Sequence, residues 1–283
     1  MAWNRVYLDH AALTPLADVA RQAMLQVLDP LYGNPSSPHL EGRAAKDALE
    51  DARSLTAKTL GCRPREVIFT SGATEAATIA LHGAARMMAR ADRKRIVVSA
   101  LEYPSVLETT ALLGSDGFEV VVVPVDKQGQ LDPSAFLDAA GDDTAVAALM
   151  LANHETGMCM PVTEVAGVLR ERRIPLVCDA ALAPGRLPLD VGALGADLVL
   201  LSGVKFGGPA GSGALYVRRG TRLEPLLKGG VQEERLRPGT ENLAGCVGFA
   251  VALEAACGAQ PVRSERYRAL IDTFVEGLAE LPE

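Results

Sequence analysis

No apolar run in this sequence is long enough to cross a bilayer. The stretch from Thr144 to Ala152, among the longest, falls far short of the roughly 20 residues that a membrane helix needs. The first residues, Met1 to His10, are polar and charged, and no apolar segment of the signal-peptide kind follows them. Cysteine is sparse and odd in number: Cys62, Cys159, Cys178, Cys246 and Cys257, with no CxxC pair. That spacing argues against a disulfide framework and against a zinc site, and predicts a reducing, cytoplasmic location. The four histidines are too dispersed to form a metal cluster by spacing. Basic blocks are short, the longest being Arg93-Lys94-Arg95 and Arg170-Glu171-Arg172-Arg173. With 28 Lys and Arg against 35 Asp and Glu, the net charge is −7. An acidic chain without a basic stripe makes nucleic acid and anionic membrane poor candidate partners.

Apolar residues, by contrast, make up 48% of the 283 positions, enough for one large core or two modest ones. Helical periodicity runs through Leu16–Leu28, Leu40–Leu60 and Glu75–Arg90. Short aliphatic runs lie at Val67–Thr70, Ile96–Val98, Val120–Val125, Ala145–Leu151, Ile174–Val177 and Leu198–Leu201. Consecutive apolar positions of this kind fit strands covered on both faces, as in parallel sheets. Helical connectors fit at Pro104–Leu113, Pro133–Ala140 and Val162–Arg172. The alternation predicts an α/β fold with a mainly parallel sheet. Two more helices are expected at Glu241–Ala256, with Thr240 as N-cap, and at Arg263–Leu281, with Pro261 between them.

Chemistry-bearing residues fall where these runs end. Ser71-Gly72-Ala73-Thr74 follows one run and opens a helix, a place where backbone amides and the helix dipole favour an anion. The same pattern also fits an ordinary strand-to-helix turn. Asp179 follows Ile174–Cys178, at the end of a strand where α/β crevices open; a helix cap or a loop ion pair would use the same residue. Lys205 lies just past Leu198–Leu201 and ahead of the glycine-rich Gly207–Gly213. A lysine held in such a crevice can form a Schiff base, although a lone loop lysine is normally a solvated charge. Together, an anion-binding turn, a carboxylate for a ring nitrogen and a Schiff-base lysine are what pyridoxal 5′-phosphate requires. Arg237-Pro238-Gly239-Thr240-Glu241-Asn242 offers a further hydroxyl at a helix start, suited to phosphate or to plain capping.

These motifs resemble those of the cysteine desulfurases, class V aminotransferases of fold type I. The resemblance runs from Tyr7-Leu8-Asp9-His10-Ala11-Ala12 to Arg237–Asn242. It passes through Gly33–His39, Phe69–Glu75, Asn153-His154-Glu155-Thr156-Gly157, Cys178–Ala181 and Ser202-Gly203-Val204-Lys205. It implies a seven-stranded, mainly parallel sheet between helices. Lys205 would carry the cofactor, Asp179 would hold its ring nitrogen, and Ala73, Thr74 and Ser202 would hold its phosphate. Tyr103 and His154 would complete the cofactor's surroundings. Thr240 would reach the phosphate of a second subunit's cofactor, implying a homodimer. The implied reaction takes sulfur from L-cysteine, leaves alanine and serves sulfur transfer such as iron–sulfur cluster assembly.

Four positions depart from the family pattern. Tyr103 stands where the family has a histidine over the cofactor ring, and a phenol with a pKa near 10 is a poorer proton carrier at neutral pH. His154 replaces an asparagine, Leu182 a glutamine and Val204 a histidine. The expected division is an N-terminal segment (1–15), a cofactor-binding large domain (16–257) and the start of a small domain (258–283). The family's acceptor cysteine and its substrate-binding arginine lie on residues beyond that start. The chain alone is therefore expected to release little sulfide, with a sulfur-acceptor protein or a separately encoded C-terminal domain as partner. Two alternatives are a lyase or transaminase acting on another amino acid, and a catalytically silent homologue that works by binding.

Overall fold

The computed structural model describes residues 6–279. Seven strands form one sheet: β1 (Val67–Thr70), β2 (Arg95–Ser99), β3 (Glu119–Val123), β4 (Thr144–Ala148), β5 (Leu176–Asp179), β6 (Leu198–Ser202) and β7 (Gly213–Val217). Their spatial order is β1-β7-β6-β5-β4-β2-β3, and β7 alone runs antiparallel to its neighbours.

The helices are α1 (Asp18–Leu28), α2 (Leu40–Leu60), α3 (Ala73–Ala89), α4 (Pro104–Ser115), α5 (Pro133–Ala139), α6 (Val162–Glu171), α7 (Val191–Leu194), α8 (Leu243–Gly258) and α9 (Gln260–Ala279). The central strands are apolar along their middles because both faces are covered, with polar residues only at their ends, such as Asp179 and Ser202. Val97, Ala147, Cys178 and Val199 point to the side of α1, α2, α6 and α8. Ile96, Val98, Val177 and Leu200 point to α3 and α4. α2 ends at Gly61, whose left-handed φ of 73° closes the helix with amide bonds to Ala57 and Lys58.

Several expected boundaries move, each for a local reason. β5 begins at Leu176 rather than Ile174, because Pro175 has no amide to donate, and it runs through Asp179, its last residue. The Ala145–Leu151 run leaves regular strand after Ala148, although the Leu149 and Leu151 amides still bond along β5. β7 was not among the sequence-read strands, since its short Gly-Ala-Leu-Tyr-Val segment merges with the glycine-rich turn before it. The cap of α8 is Asn242, whose side chain accepts from the Gly245 amide; Thr240 lies two residues before that cap. Pro261 sits in the first turn of α9, where a missing amide is tolerated. Leu281-Pro282-Glu283, the expected end of that helix, lies outside the described residues, as do positions 1–5.

Candidate active site

Every strand that feeds chemistry does so at its carboxyl end, and the loops there enclose a cleft of ≈ 360 Å³. Ala73 and Thr74 enter it from the start of α3, Tyr103 from the loop after β2, and His154 from the loop after β4. Asp179 enters from β5, and Ser202 and Lys205 from β6 and the 3₁₀ turn behind it. Of the eight predicted site residues, Thr240 is the one the structure does not bring to this cleft; it is exposed elsewhere on the chain. Leu182 and Val204, the apolar departures, both line it.

Lys205 Nζ donates to the carbonyls of Ala11 (2.7 Å) and Ala12 (2.8 Å). Partial burial lowers its pKa, and the nearby Arg186 charge adds to this, while Asp179 and Asp9 oppose it. Arg186 also donates to the Lys205 carbonyl at 3.0 Å, fixing the turn behind the amine. That turn is tight: a side chain at Gly203 would collide with Ser212 Oγ.

Asp179 is buried, its Oδ1 accepting from the Ala181 amide at 2.9 Å. It pairs with no described cation within salt-bridge distance. Burial raises its pKa, with the Ala181 hydrogen bond, Lys205 and His154 acting against that rise. The Tyr103 and His154 rings meet edge to face, with centroids 5.0 Å apart. His154 is presented by an Asx turn. Asn153 Oδ1 accepts from the amides of Glu155 (3.0 Å) and Thr156 (2.8 Å), and Asn153 Nδ2 donates to Leu101.

Three features fit a phosphorylated pyridine aldehyde. His154 Nδ1 is buried at the cleft without a partner. Asp179 offers an unpaired, desolvated carboxylate. The Ser71–Thr74 turn opens α3, and β7 packs so closely behind it that a Cβ on Gly213 would lie 2.5 Å from Gly72 Cα. The first amides of α3 thus form a small, open anion cradle.

Sequence reading missed several participants. The carbonyls of Ala11 and Ala12 lie inside a quoted motif but had no assigned role. Glu75 accepts from the Ser71 amide at 2.5 Å and pairs with Arg237 at 3.1 Å. A glutamate at the third position of α3 is a capping signal that could have marked it. Glu102, just before Tyr103, is buried with Oε1 accepting from Met150 N at 2.6 Å and Oε2 unpartnered. Burial, with Asp179 adding to it, pushes its pKa up to about 8, against the Met150 hydrogen bond.

A mostly parallel sheet of this order, with a lysine and a carboxylate facing each other at its carboxyl edge, defines the fold-type-I enzymes that work with pyridoxal phosphate. Within that class the chain belongs to the class-V aminotransferase family, whose profile matches residues 6–283. It is 40% identical to "Cysteine desulfurase IscS" of Methanosarcina thermophila over 98% of this chain and 69% of that protein. It is 42% identical to an "IscS-like cysteine desulfurase" of Mycobacterium tuberculosis over 98% of this chain and 72% of that one. Among solved structures, a "NifS-like protein" superposes with a TM-score of 0.94 at 35% identity, covering 97% of this chain and 76% of the other. "SspA in complex with cysteine" superposes at 0.84 and 35% identity, covering 88% and 72%.

Proposed function

We propose that the protein acts on L-cysteine as a pyridoxal-phosphate-dependent desulfurase. The carrying observation is the meeting of Lys205, Asp179 and the Ser71–Thr74 turn in one cleft. Bound there, pyridoxal phosphate supplies an electron sink for the substrate's α-carbon. Lys205 would hold the cofactor through Nζ and would carry a proton at that atom, its pKa lowered by partial burial. Asp179 would hold the ring N–H. The amides of Ala73 and Thr74, with the Ser202 hydroxyl, would bind the phosphate. Tyr103 would give the cofactor an aromatic neighbour, and Leu182 and Val204 apolar ones.

The balanced reaction is L-cysteine plus a thiol, giving alanine and a persulfide. Burial raises the thiol pKa of Cys62, to about 12, and of Cys178, Cys246 and Cys257. These four make poor nucleophiles, and the exposed Cys159 does not line the cleft. We therefore propose a sulfur-accepting thiol from a partner polypeptide, an acceptor protein or a separately encoded domain. A homodimer is supported by the exposure of Thr240 outside its own chain's cleft, and a cytoplasmic site of action by five free cysteines.

Reconstitution with pyridoxal phosphate tests the reading. The wild type should gain a visible absorbance band and form alanine from L-cysteine, faster with an added acceptor thiol. Lys205→Ala should lose both. A band that survives in Lys205→Ala removes the covalent role of that residue. The altered lining at Tyr103, Leu182 and Val204 favours, as second reading, a lyase or transaminase on another amino acid. Turnover of other amino acids but not cysteine would select it.

A further inference from the structure

Glu75 poses an electrostatic problem. It lines the cleft beside the turn that is to hold a phosphate dianion, and a carboxylate there repels that ligand. The structure supplies an answer from far along the chain. Arg237 Nε donates to Glu75 Oε1 at 3.1 Å, while Glu75 Oε2 accepts from Ser71 N. Both side chains are mostly shielded, at 27% and 22% exposure, so the pairing is less screened than at a free surface.

Arg237 is held in place by an unusual segment. Glu233, Glu234 and Arg235 take left-handed φ of 46°, 53° and 66° in succession, without a glycine among them. Such backbone persists only where its surroundings over-determine it. Here the anchor is Glu233, whose side chain is 1% exposed. It receives both Arg53 nitrogens at 2.7 Å and the Phe69 amide at 2.7 Å. Arg53 in turn lies over the Phe69 ring and donates to the Val67 carbonyl, both in β1. The strained turn is thereby fastened to the strand that leads into the phosphate-binding turn.

We propose that Arg237 is a positioning residue that neutralises Glu75, so that the Ser71–Thr74 turn keeps its shape without repelling phosphate. The proposal rests on the reading of the cleft as a pyridoxal phosphate site.

The test is equilibrium binding of pyridoxal phosphate and of pyridoxal, which lacks the phosphate, to the full chain stripped of cofactor. Arg237→Gln should weaken pyridoxal phosphate binding on the order of tenfold, the effect of one uncompensated nearby charge, and leave pyridoxal unchanged. Adding Glu75→Gln should restore most of the loss, because glutamine keeps the acceptor for Ser71 N and drops the charge. Glu75→Gln alone should bind the phosphorylated ligand at least as tightly as wild type, and it provides the decision if Arg237→Gln does not fold. Equal losses for both ligands, no loss in Arg237→Gln, a double variant weaker than Arg237→Gln, or weakened binding in Glu75→Gln would each overturn the proposal. Failure of the wild type to bind pyridoxal phosphate would instead remove the underlying reading, and the proposal with it.

Discussion

α8 and α9 follow one another in the chain, and both carry apolar residues at helical spacing, yet their surroundings are opposite. α8 lies against α1 and α2 and buries Cys246, Phe249, Ala250, Ala252, Leu253 and Ala256. Apart from the exposed Glu254 it is apolar all round, as a helix enclosed on several sides must be. Its small residues let neighbours approach closely: a Cβ on Gly248 would lie 2.7 Å from Met24 Cγ. In α9 no described residue is buried. Tyr267, Leu270, Ile271, Phe274, Val275 and Leu278 form a stripe between 42% and 65% exposed. The break between the helices bends the path by 65°. α9 touches the body chiefly through Gln260 and Ser264, which donate to the Arg186 carbonyl. Periodicity thus specifies a helix, and only neighbours decide whether its stripe contributes to stability.

The contrast can be broken by mutation. Phe249→Ala should cost about 3–5 kcal/mol, because its ring packs edge-on against Phe69 (6.1 Å) and Phe206 (5.3 Å) and is fully buried. Chemical denaturation measures this, and a loss below ~1 kcal/mol would mean α8 is not the keystone of its face. A polar group in the enclosed body sharpens the comparison through pH. Glu102 has its pKa raised on folding, so the folded state holds a proton that the unfolded chain has given up. Its contribution is fully present below the ordinary carboxylate range near 4.3 and is lost as pH rises through about 8. Buried Asp179 shifts in the same direction. Glu102→Gln should therefore flatten the decline in Tm between pH 5 and pH 8, its gain over wild type growing by up to about 1.4 kcal/mol per pH unit across that window. An unchanged pH profile would show that Glu102 ionises normally. The smallest effect belongs to α9: Phe274→Ser should stay within about 0.5 kcal/mol, as exposed substitutions do. A loss above ~1 kcal/mol would show that the stripe is covered in solution.

Most of the fold could be read because its strands are continuous aliphatic runs, and such runs have few other uses. The sequence-read Val67–Thr70 and Leu40–Leu60 match β1 and α2 residue for residue. Strand ends shifted where a proline or a side-chain acceptor, such as Asp197 capturing the Leu176 amide, ended the ladder. The short β7 carried too little pattern to be noticed. Lys205, Asp179 and the Ser71–Thr74 turn were legible because each lies at or just past the carboxyl end of a strand. The partners of these groups were not. Arg237 and Glu75 are 162 positions apart, and Lys205 lies 194 positions from Ala11. Local pattern carries no information about such pairings. Thr240 read as a cap because Thr is a good one, yet Asn242 has the reach to Gly245.

The antiparallel β7 also governs when the protein can be finished on the ribosome. Among the described residues β1 pairs only with β7, Val67 lying opposite Tyr216. At roughly 5–20 residues per second, on the order of ten seconds pass between synthesis of the two strands. During that interval β1 has a bare edge, and the Ser71–Thr74 turn lacks the wall that Gly213 later provides. α1 and α2 must likewise await α8. The amino-terminal quarter of the chain is thus made first and locked last, so its apolar surfaces wait longer for their partners than those of the β2–β5 core, whose neighbours emerge in quick succession.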